Sequence, residues 1–285
     1  MIVNRTSRQT THELGNLHAA LDAHGITVGA FHVATGHVEV RRFVKRAAKS
    51  QVPTIVVGGG DGTMAHAVDV LAHRESVLGV VPFGTGNSFA QSLGIATHDV
   101  DAAVRVIAGG KVEKVDLGRV NGTHFANFAT IGLSSEIAGA TSTGAKGLLG
   151  PIAYAIAAAK PLLSHRPFRA KIAWRGGKLT LRTQDIIIAN GRYFGSTPVT
   201  PDATITDGRL NLFTTDDPSR IGALRTYLAI GRDTQTRLPD AHVITAEGFV
   251  VRARARQRIS IDGSLFEKTP ARFRVVPRAL RVYVP

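Results

Sequence analysis

The chain has 285 residues, enough for two domains and a sizeable core, and its 44% apolar fraction is ordinary for a globular chain. It contains no cysteine, which excludes disulfides, thiolate metal sites and a cysteine nucleophile. Lys and Arg number 35 against 21 Asp and Glu, a formal net charge of +14 that favours anionic partners. No zinc-finger or RRM signature accompanies that charge, so nucleotides or an anionic membrane surface are expected and nucleic acid is not.

Met1-Ile2-Val3 leads straight to polar Asn4-Arg5-Thr6-Ser7 with no signal pattern, and together with the missing cysteines this predicts a cytoplasmic protein. Taken alone, the stretch from Asn4 to Ser7 reads as a helix N-cap region before a helix over Glu13 to Ala23. Thr27 to Val33 reads as a strand, with Thr35 just beyond it. Val38 to Ser50 is a basic amphipathic helix whose Arg41, Arg42, Lys45, Arg46 and Lys49 form a solvated face.

Thr54-Ile55-Val56-Val57 is β-branched throughout and reads as a buried strand. Gly58-Gly59-Gly60-Asp61-Gly62-Thr63 follows at once, and Met64 to Ala72 reads as a helix. Strand, glycine turn and helix together present backbone N–H groups to a phosphate, and glycine lets a polyphosphate approach the main chain closely. The same arrangement also serves as a plain turn. Asp61 would repel a bare phosphate, which points to work through a cation, a water or a hydroxyl. Val77 to Val81 is a second apolar strand, followed by Pro82-Phe83-Gly84-Thr85-Gly86-Asn87-Ser88-Phe89-Ala90. Strand C-terminal ends in an open parallel sheet lie on one side, where ligands bind.

GGGDGT followed by PFGTGNSFAQSLG closely resembles the catalytic domain of the diacylglycerol kinase, sphingosine kinase and bacterial lipid kinase family. NAD kinases and 6-phosphofructokinases share the first turn but lack the second segment. The resemblance covers nearly the whole chain. It implies an N-terminal Rossmann-like α/β nucleotide-binding domain followed by a mainly antiparallel β-sandwich domain. It also implies ATP as co-substrate, Mg2+, and a lipid substrate. On the same resemblance Gly59, Gly60, Asp61, Gly62, Thr63 and Thr85 line the nucleotide, with Thr35 near it. Asn4 and Ser7 stand in the family's Asn-Pro-x-Ser-Gly turn, here without its proline and its glycine, and can still offer side-chain donors to a nucleotide. His66 occupies a position where relatives often carry a carboxylate; a neutral imidazole there can hydrogen-bond the nucleotide or be an ordinary helix residue.

Val100 to Ala108 reads as a helix ending in Gly109-Gly110, and Lys111 to Val120 as a strand containing Asp116. We place a domain boundary here, giving 1–118 and 119–285, with the last strand an option for return to the first domain. His124 to Ile131 reads as one strand and resembles the family's Phe-x-Asn-x-x-x-x-Gly segment at Phe125, Asn127 and Gly132. Gly147 to Leu163 is the longest apolar helix pattern, too short and interrupted to span a membrane. It either covers a sheet, walls a lipid pocket or touches a membrane.

From Phe168 onward short strands dominate: Phe168–Trp174, Leu179–Ala189, Arg209–Thr214, Val243–Arg256, Arg258–Ile261, Ala271–Val276 and Leu280–Val284, with one helix over Arg220 to Gly231. Arg252, Arg254, Arg256 and Arg258 fall at period two and are expected on one strand face, either discouraging edge pairing or attracting anionic lipid.

Pro201-Asp202-Ala203-Thr204-Ile205-Thr206-Asp207-Gly208 matches the family pattern Pro-x-Ala-x-x-x-Asp-Gly. That match implies a magnesium ion held by the Asp207 carboxylate and the carbonyls of Thr204 and Arg209, an oxygen-only set suited to a hard cation. Taken alone, Asp207-Gly208 is a turn before a strand. Ile259-Ser260-Ile261-Asp262-Gly263 resembles the family's Asp-Gly-Glu segment, which implies Asp262 as general base; alone it is a hairpin turn. Asp61 is the rival, because the sphingosine kinase branch assigns that role to the aspartate of the glycine turn. Ser264 replaces the usual glutamate and Ser88 a frequent aspartate, leaving Asp61 and Asp116 for an aspartate–water–magnesium network. The expected activity is ATP-dependent phosphorylation of diacylglycerol, ceramide, a sphingoid or a related lipid, by a protein peripherally bound to membranes. A homodimer is left open. The rivals are a small-molecule kinase of the NAD kinase type and a non-catalytic lipid or nucleotide sensor.

Overall fold

In the computed structural model of the chain, residues 1–5, 8–142, 161, 164–194, 197–200 and 203–285 are described. Ser7, Pro201, Asp202 and nearly all of the Gly147 to Leu163 stretch lie outside them.

The N-terminal part is a parallel sheet of β1 (Ile2–Asn4), β2 (His32–Ala34), β3 (Thr54–Gly59) and β4 (Val77–Pro82), in the order β2-β1-β3-β4. Helices α1 (Arg8–Ala23), α2 (His37–Lys49), α3 (Asp61–Leu71), α4 (Ser88–Ser92) and α5 (Val100–Gly109) follow the strands. β3 and β4 bury nearly every side chain, as an apolar run between two helical layers must. α2 turns Val40, Val44 and Ala48 inward at helical spacing and leaves its basic residues in solvent. α5 starts where the Asp99 side chain accepts the Ala102 N–H and stops at Gly110, whose left-handed φ of 72° suits glycine.

Beyond β5 (Val112–Val120), β6 (Thr123–Phe125) and β7 (Phe128–Gly132), the chain enters α6 (Leu133–Ser142) and then β8 (Phe168–Trp174), β9 (Gly177–Thr183) and β10 (Asp185–Ala189). A small pair, β11 (Tyr193–Phe194) and β12 (Thr197–Pro198), precedes β13 (Leu210–Thr215), α7 (Arg220–Ile230), β14 (Ala241–Ala246) and β15 (Gly248–Ala253). β16 (Arg258–Ile261), β17 (Leu265–Lys268) and β18 (Ala271–Tyr283) complete it. The first sheet continues from β4 through β18 to β15, β8 and β9, with β5 also paired to β18. The second sheet is antiparallel, in the order β14-β13-β10-β7-β16-β17. Ile131, Ile186, Ile188, Leu212, Ile259 and Ile261 of this sheet pack against Ile172, Phe249, Val251 and Phe273 of the first, forming the sandwich core. The architecture is therefore α/β followed by a β-sandwich.

Several strands end where sequence periodicity does not. Leu179 to Ala189 is two strands in different sheets, parted at Gln184, whose carbonyl accepts the Leu133 N–H. Val243 to Arg256 likewise divides at Glu247, whose carbonyl accepts the Val275 N–H. Conversely, the last two expected strands are one, β18, with an irregularity between Val276 and Leu280 where Arg278 takes a positive φ of 53°. The expected arginine face is corrected too: Arg252 lies on β15, Arg258 opens β16 in the other sheet, and Arg254 and Arg256 fall between strands. No described helix is long and apolar enough to cross a membrane.

Candidate nucleotide and phosphoryl-transfer site

The strand order reverses between β1 and β3, and the crevice at their C-terminal ends is where an open α/β sheet binds ligands. Asn4 ends β1 there. Its Nδ2 donates to the Thr63 Oγ1 at 2.8 Å, with both residues buried, tying β1 to the start of α3. Its Oδ1 stays buried with no hydrogen-bond partner. Thr35, beyond β2, is exposed and gives both its N–H and its Oγ1 proton to Glu39 Oε2, at 2.8 and 2.9 Å. Thr85 is exposed in the second turn.

The two glycine turns form one piece of backbone. The Asp61 Oδ1 accepts the Ser88 N–H at 2.6 Å, and the Phe83 N–H donates to the Gly59 carbonyl at 3.1 Å. A Cβ on Gly60 would lie 3.1 Å from the Gly84 Cα, and one on Gly84 only 2.5 Å from the Gly60 Cα. Asn87, in the left-handed region at φ 50°, brackets Gly84 by accepting its N–H and donating to its carbonyl. The N-cap of α3 is Gly60, which has no side chain to cap the helix, and a helix N-terminus favours an anion.

His66, one turn into α3, stacks on His37 with ring centroids 5.3 Å apart and planes 14° from parallel. Its Nδ1 is buried with no hydrogen-bond partner. Burial, then the neighbouring His37 and Arg41 charges, push its pKa down to about 4, against an opposing pull from Asp69. The imidazole is therefore neutral near pH 7.

Asp262 sits in the turn between β16 and β17, at a positive φ of 44° and 3% exposed. Its Oδ2 accepts the Ala126 N–H at 2.8 Å, and its Oδ1 accepts those of Asn127 and Phe128 at 3.1 and 2.9 Å. Those bonds explain why the expected strand from His124 to Ile131 breaks into β6 and β7: its middle N–H groups point to a carboxylate rather than a neighbouring strand. Burial raises the Asp262 pKa to about 6, the three N–H groups oppose that rise, and the Asp61 charge adds to it. Two residues on, the Ser264 hydroxyl reaches the Gly62 carbonyl at 3.5 Å. The turn carrying Asp262 thus abuts the glycine turn carrying Asp61.

Asp116 belongs to a different junction. Its Oδ2 accepts the Gly208 N–H and its Oδ1 the Arg278 N–H, both at 2.7 Å, and it is 2% exposed. It fixes the loop that ends at Asp207 and the irregularity of β18. Asn190 joins this junction to the Asp262 turn, donating to the carbonyls of Asp116 at 3.0 Å and Ala126 at 2.8 Å. Sequence reasoning gave Asn190 no such role, because its partners lie 74 and 64 residues away. A second buried constellation also went unforeseen: Asp185 accepts from the Ser134 and Tyr227 hydroxyls, which join β10 to α6 and α7.

For a metal, Asp207 is exposed and one of its oxygens accepts the Arg209 N–H at 2.9 Å. Thr204 and Arg209 are exposed beside it. No three His, Asp or Glu groups converge among the described residues. A cation at this loop would meet one carboxylate, backbone carbonyls and water, which fits a hard ion such as Mg2+.

The model of the diacylglycerol kinase catalytic domain matches residues 1–120, and that of the YegS C-terminal NAD kinase beta sandwich-like domain matches residues 129–284. A "Probable lipid kinase YegS-like" protein of Pseudomonas aeruginosa is 34% identical over 265 residues, covering 87% of this chain and 82% of that protein. A diacylglycerol kinase of Bacillus subtilis is 28% identical over 262 residues, covering 89% and 85%. Among solved structures, one from Bacillus anthracis superposes with a TM-score of 0.82 at 25% identity, covering 100% of this chain and 94% of that one. A diacylglycerol kinase from the same organism superposes at 0.74 and 20% identity, over 100% and 95%, which speaks to the fold alone. The chain belongs to the family of lipid kinases that joins a diacylglycerol kinase catalytic domain to a YegS-type β-sandwich.

Proposed function

We propose that this kinase transfers the γ-phosphate of ATP to the hydroxyl of a membrane lipid of the diacylglycerol, ceramide or sphingoid class. The phosphates of ATP lie against the two glycine turns, over the N-terminus of α3. The Asp207 carboxylate and the carbonyls of Thr204 and Arg209 would hold a Mg2+ that orders their loop, and Mg2+ accompanying ATP would offset phosphate charge. Asp262 takes the proton of the lipid hydroxyl as its oxygen attacks the γ-phosphorus; the new O–P bond forms, the bond to the β-phosphate oxygen breaks, and ADP leaves. His66, neutral, hydrogen-bonds the nucleotide without adding charge. We assign 1–118 to the nucleotide domain and 119–285 to the lipid-binding domain. Attachment to an anionic membrane surface is peripheral and driven by the +14 charge.

The observation that carries this reading is the meeting of the Asp262 turn with the start of α3 at Gly62, with the Asp262 pKa at about 6. A general base works best with a pKa near the operating pH, and this carboxylate is mostly ionised at pH 7 yet still basic. The test is a panel of lipids in mixed micelles with γ-labelled ATP and purified protein. Label in one lipid class is expected. Transfer of label only to NAD would replace the lipid reading with the NAD kinase one, and ligand binding without turnover would support the sensor.

A further inference from the structure

α7 is built inside out. Its buried face is Gly222, Ala223, Thr226 and Ala229, whereas Ile221, Leu224 and Leu228 are 80%, 49% and 51% exposed. A helix covering a sheet ordinarily buries its large apolar residues and exposes small or polar ones. Here the three large residues recur at i, i+3 and i+7, which places them in one outward stripe.

The helix is firmly seated, so the stripe is held in place. The Ser219 hydroxyl caps its start by accepting the Gly222 N–H at 2.9 Å. The Tyr227 hydroxyl bonds Asp185 at 3.0 Å and Ser134 at 2.6 Å, and Ile230 packs on the Phe128, Ile187 and Phe213 face of the second sheet.

The surrounding charge selects the occupant. The neighbouring carboxylates Asp217 and Asp240 are both taken by Arg225, and exposed Asp216 accepts the Arg182 N–H at 3.1 Å. Arg220 precedes the stripe, and Arg232 and Arg237 follow it; all are exposed, and none forms an ion pair among the described residues. Asp233 is the one carboxylate between Arg220 and Arg237. An apolar stripe framed by free guanidinium groups matches a surface with anionic headgroups outside and acyl chains beneath.

We propose that α7 is the membrane-docking element, with Ile221, Leu224 and Leu228 inserting among the lipids of an anionic bilayer while Arg220, Arg232 and Arg237 hold its headgroups. This rests on the lipid kinase reading, since a membrane-borne substrate is what makes docking useful. The experiment compares the full chain with an Ile221→Asp/Leu228→Asp variant in flotation with mixed phosphatidylcholine and phosphatidylglycerol vesicles. The variant is expected to lose at least about tenfold in vesicle partitioning. Both proteins should phosphorylate a water-soluble short-chain diacylglycerol equally. Unchanged partitioning of the variant, or no vesicle binding by the wild type, would overturn the proposal. So would a wild-type dimer that the variant converts to monomer without loss of vesicle binding, because the stripe would then face a second copy. Absence of turnover on the soluble lipid by the wild type would instead strike at the kinase reading, with flotation still deciding the surface.

Discussion

The Asp61 carboxylate accepts the Ser88 N–H at 2.6 Å, joining the turn after β3 to the turn after β4. Ser88 itself is 1% exposed, so the link lies in the buried floor between the two turns. The two turns are close enough that the Gly84 position has no room for a side chain: a Cβ there would sit 2.5 Å from the Gly60 Cα. Gly84→Ala is therefore expected to push the turns apart, costing about 1–3 kcal/mol of stability. ATP affinity should fall at least about tenfold, since phosphate contacts depend on the spacing of the turns. Isothermal titration on the folded variant reads this, and an unchanged dissociation constant would remove the turns from the nucleotide site.

Asn4 and Thr63 are expected to act through position, not by touching the nucleotide. Asn4→Leu removes the 2.8 Å bond to the Thr63 hydroxyl, which leaves a buried hydroxyl without its donor. A loss of about 1–3 kcal/mol in urea unfolding is expected. A Thr63→Val change should add little to Asn4→Leu if the two side chains serve only each other, and a double-mutant cycle measures that coupling.

Loss of magnesium binding at the loop is expected from Asp207→Asn, because one formal charge leaves an otherwise carbonyl-and-water set. The magnesium concentration giving half-maximal activity should rise, with kcat at saturating magnesium little changed. Full activity in excess chelator would contradict the metal role.

Much of this was legible in the sequence, and the failures have common causes. β3, β4 and their glycine turns stand out because a run buried on both faces followed by glycine has few other readings. β8 and β16 match their expected bounds for a similar reason: turn residues flank them. The breaks at Gln184 and Glu247 were not legible, because alternation at period two does not record which sheet a residue faces. Nor was the division at Ala126 and Asn127, which depends on a carboxylate about 135 residues away. At the site, the residue types were legible and their partners were not. The Asn4 amide has Thr63 as a partner, and the Asp116 oxygens accept the backbone N–H groups of Gly208 and Arg278, contacts set by segments far away in the chain.

The pH dependence follows from Asp262. With a pKa raised to about 6, mainly by burial, the base form is lost below that pH. kcat/KM should fall about tenfold per pH unit under pH 6 and level off above it. Stability carries the opposite sign. Between the ordinary value of 3.8 and about 6 the folded state holds a proton that the unfolded state has released, so folding weakens as pH rises through that window. The contribution is about 3 kcal/mol, present below pH 4 and lost above pH 6. Asp262→Asn lacks this titration, so its stability relative to wild type should improve by about that amount between pH 4 and pH 7. Urea unfolding at the two pH values tests it.

The most direct test of the account is single-turnover phosphate transfer by Asp262→Asn, with the lipid that the wild type phosphorylates, alongside Asp61→Asn. A positioned general base commonly contributes about 10²–10⁴-fold, so Asp262→Asn is predicted to slow transfer at least about a hundredfold with ATP affinity near wild type. Asp61→Asn should weaken nucleotide binding as well, because Asp61 also holds the second turn through Ser88. A folded Asp262→Asn protein that transfers phosphate at close to the wild-type rate would contradict the account and move the base to Asp61.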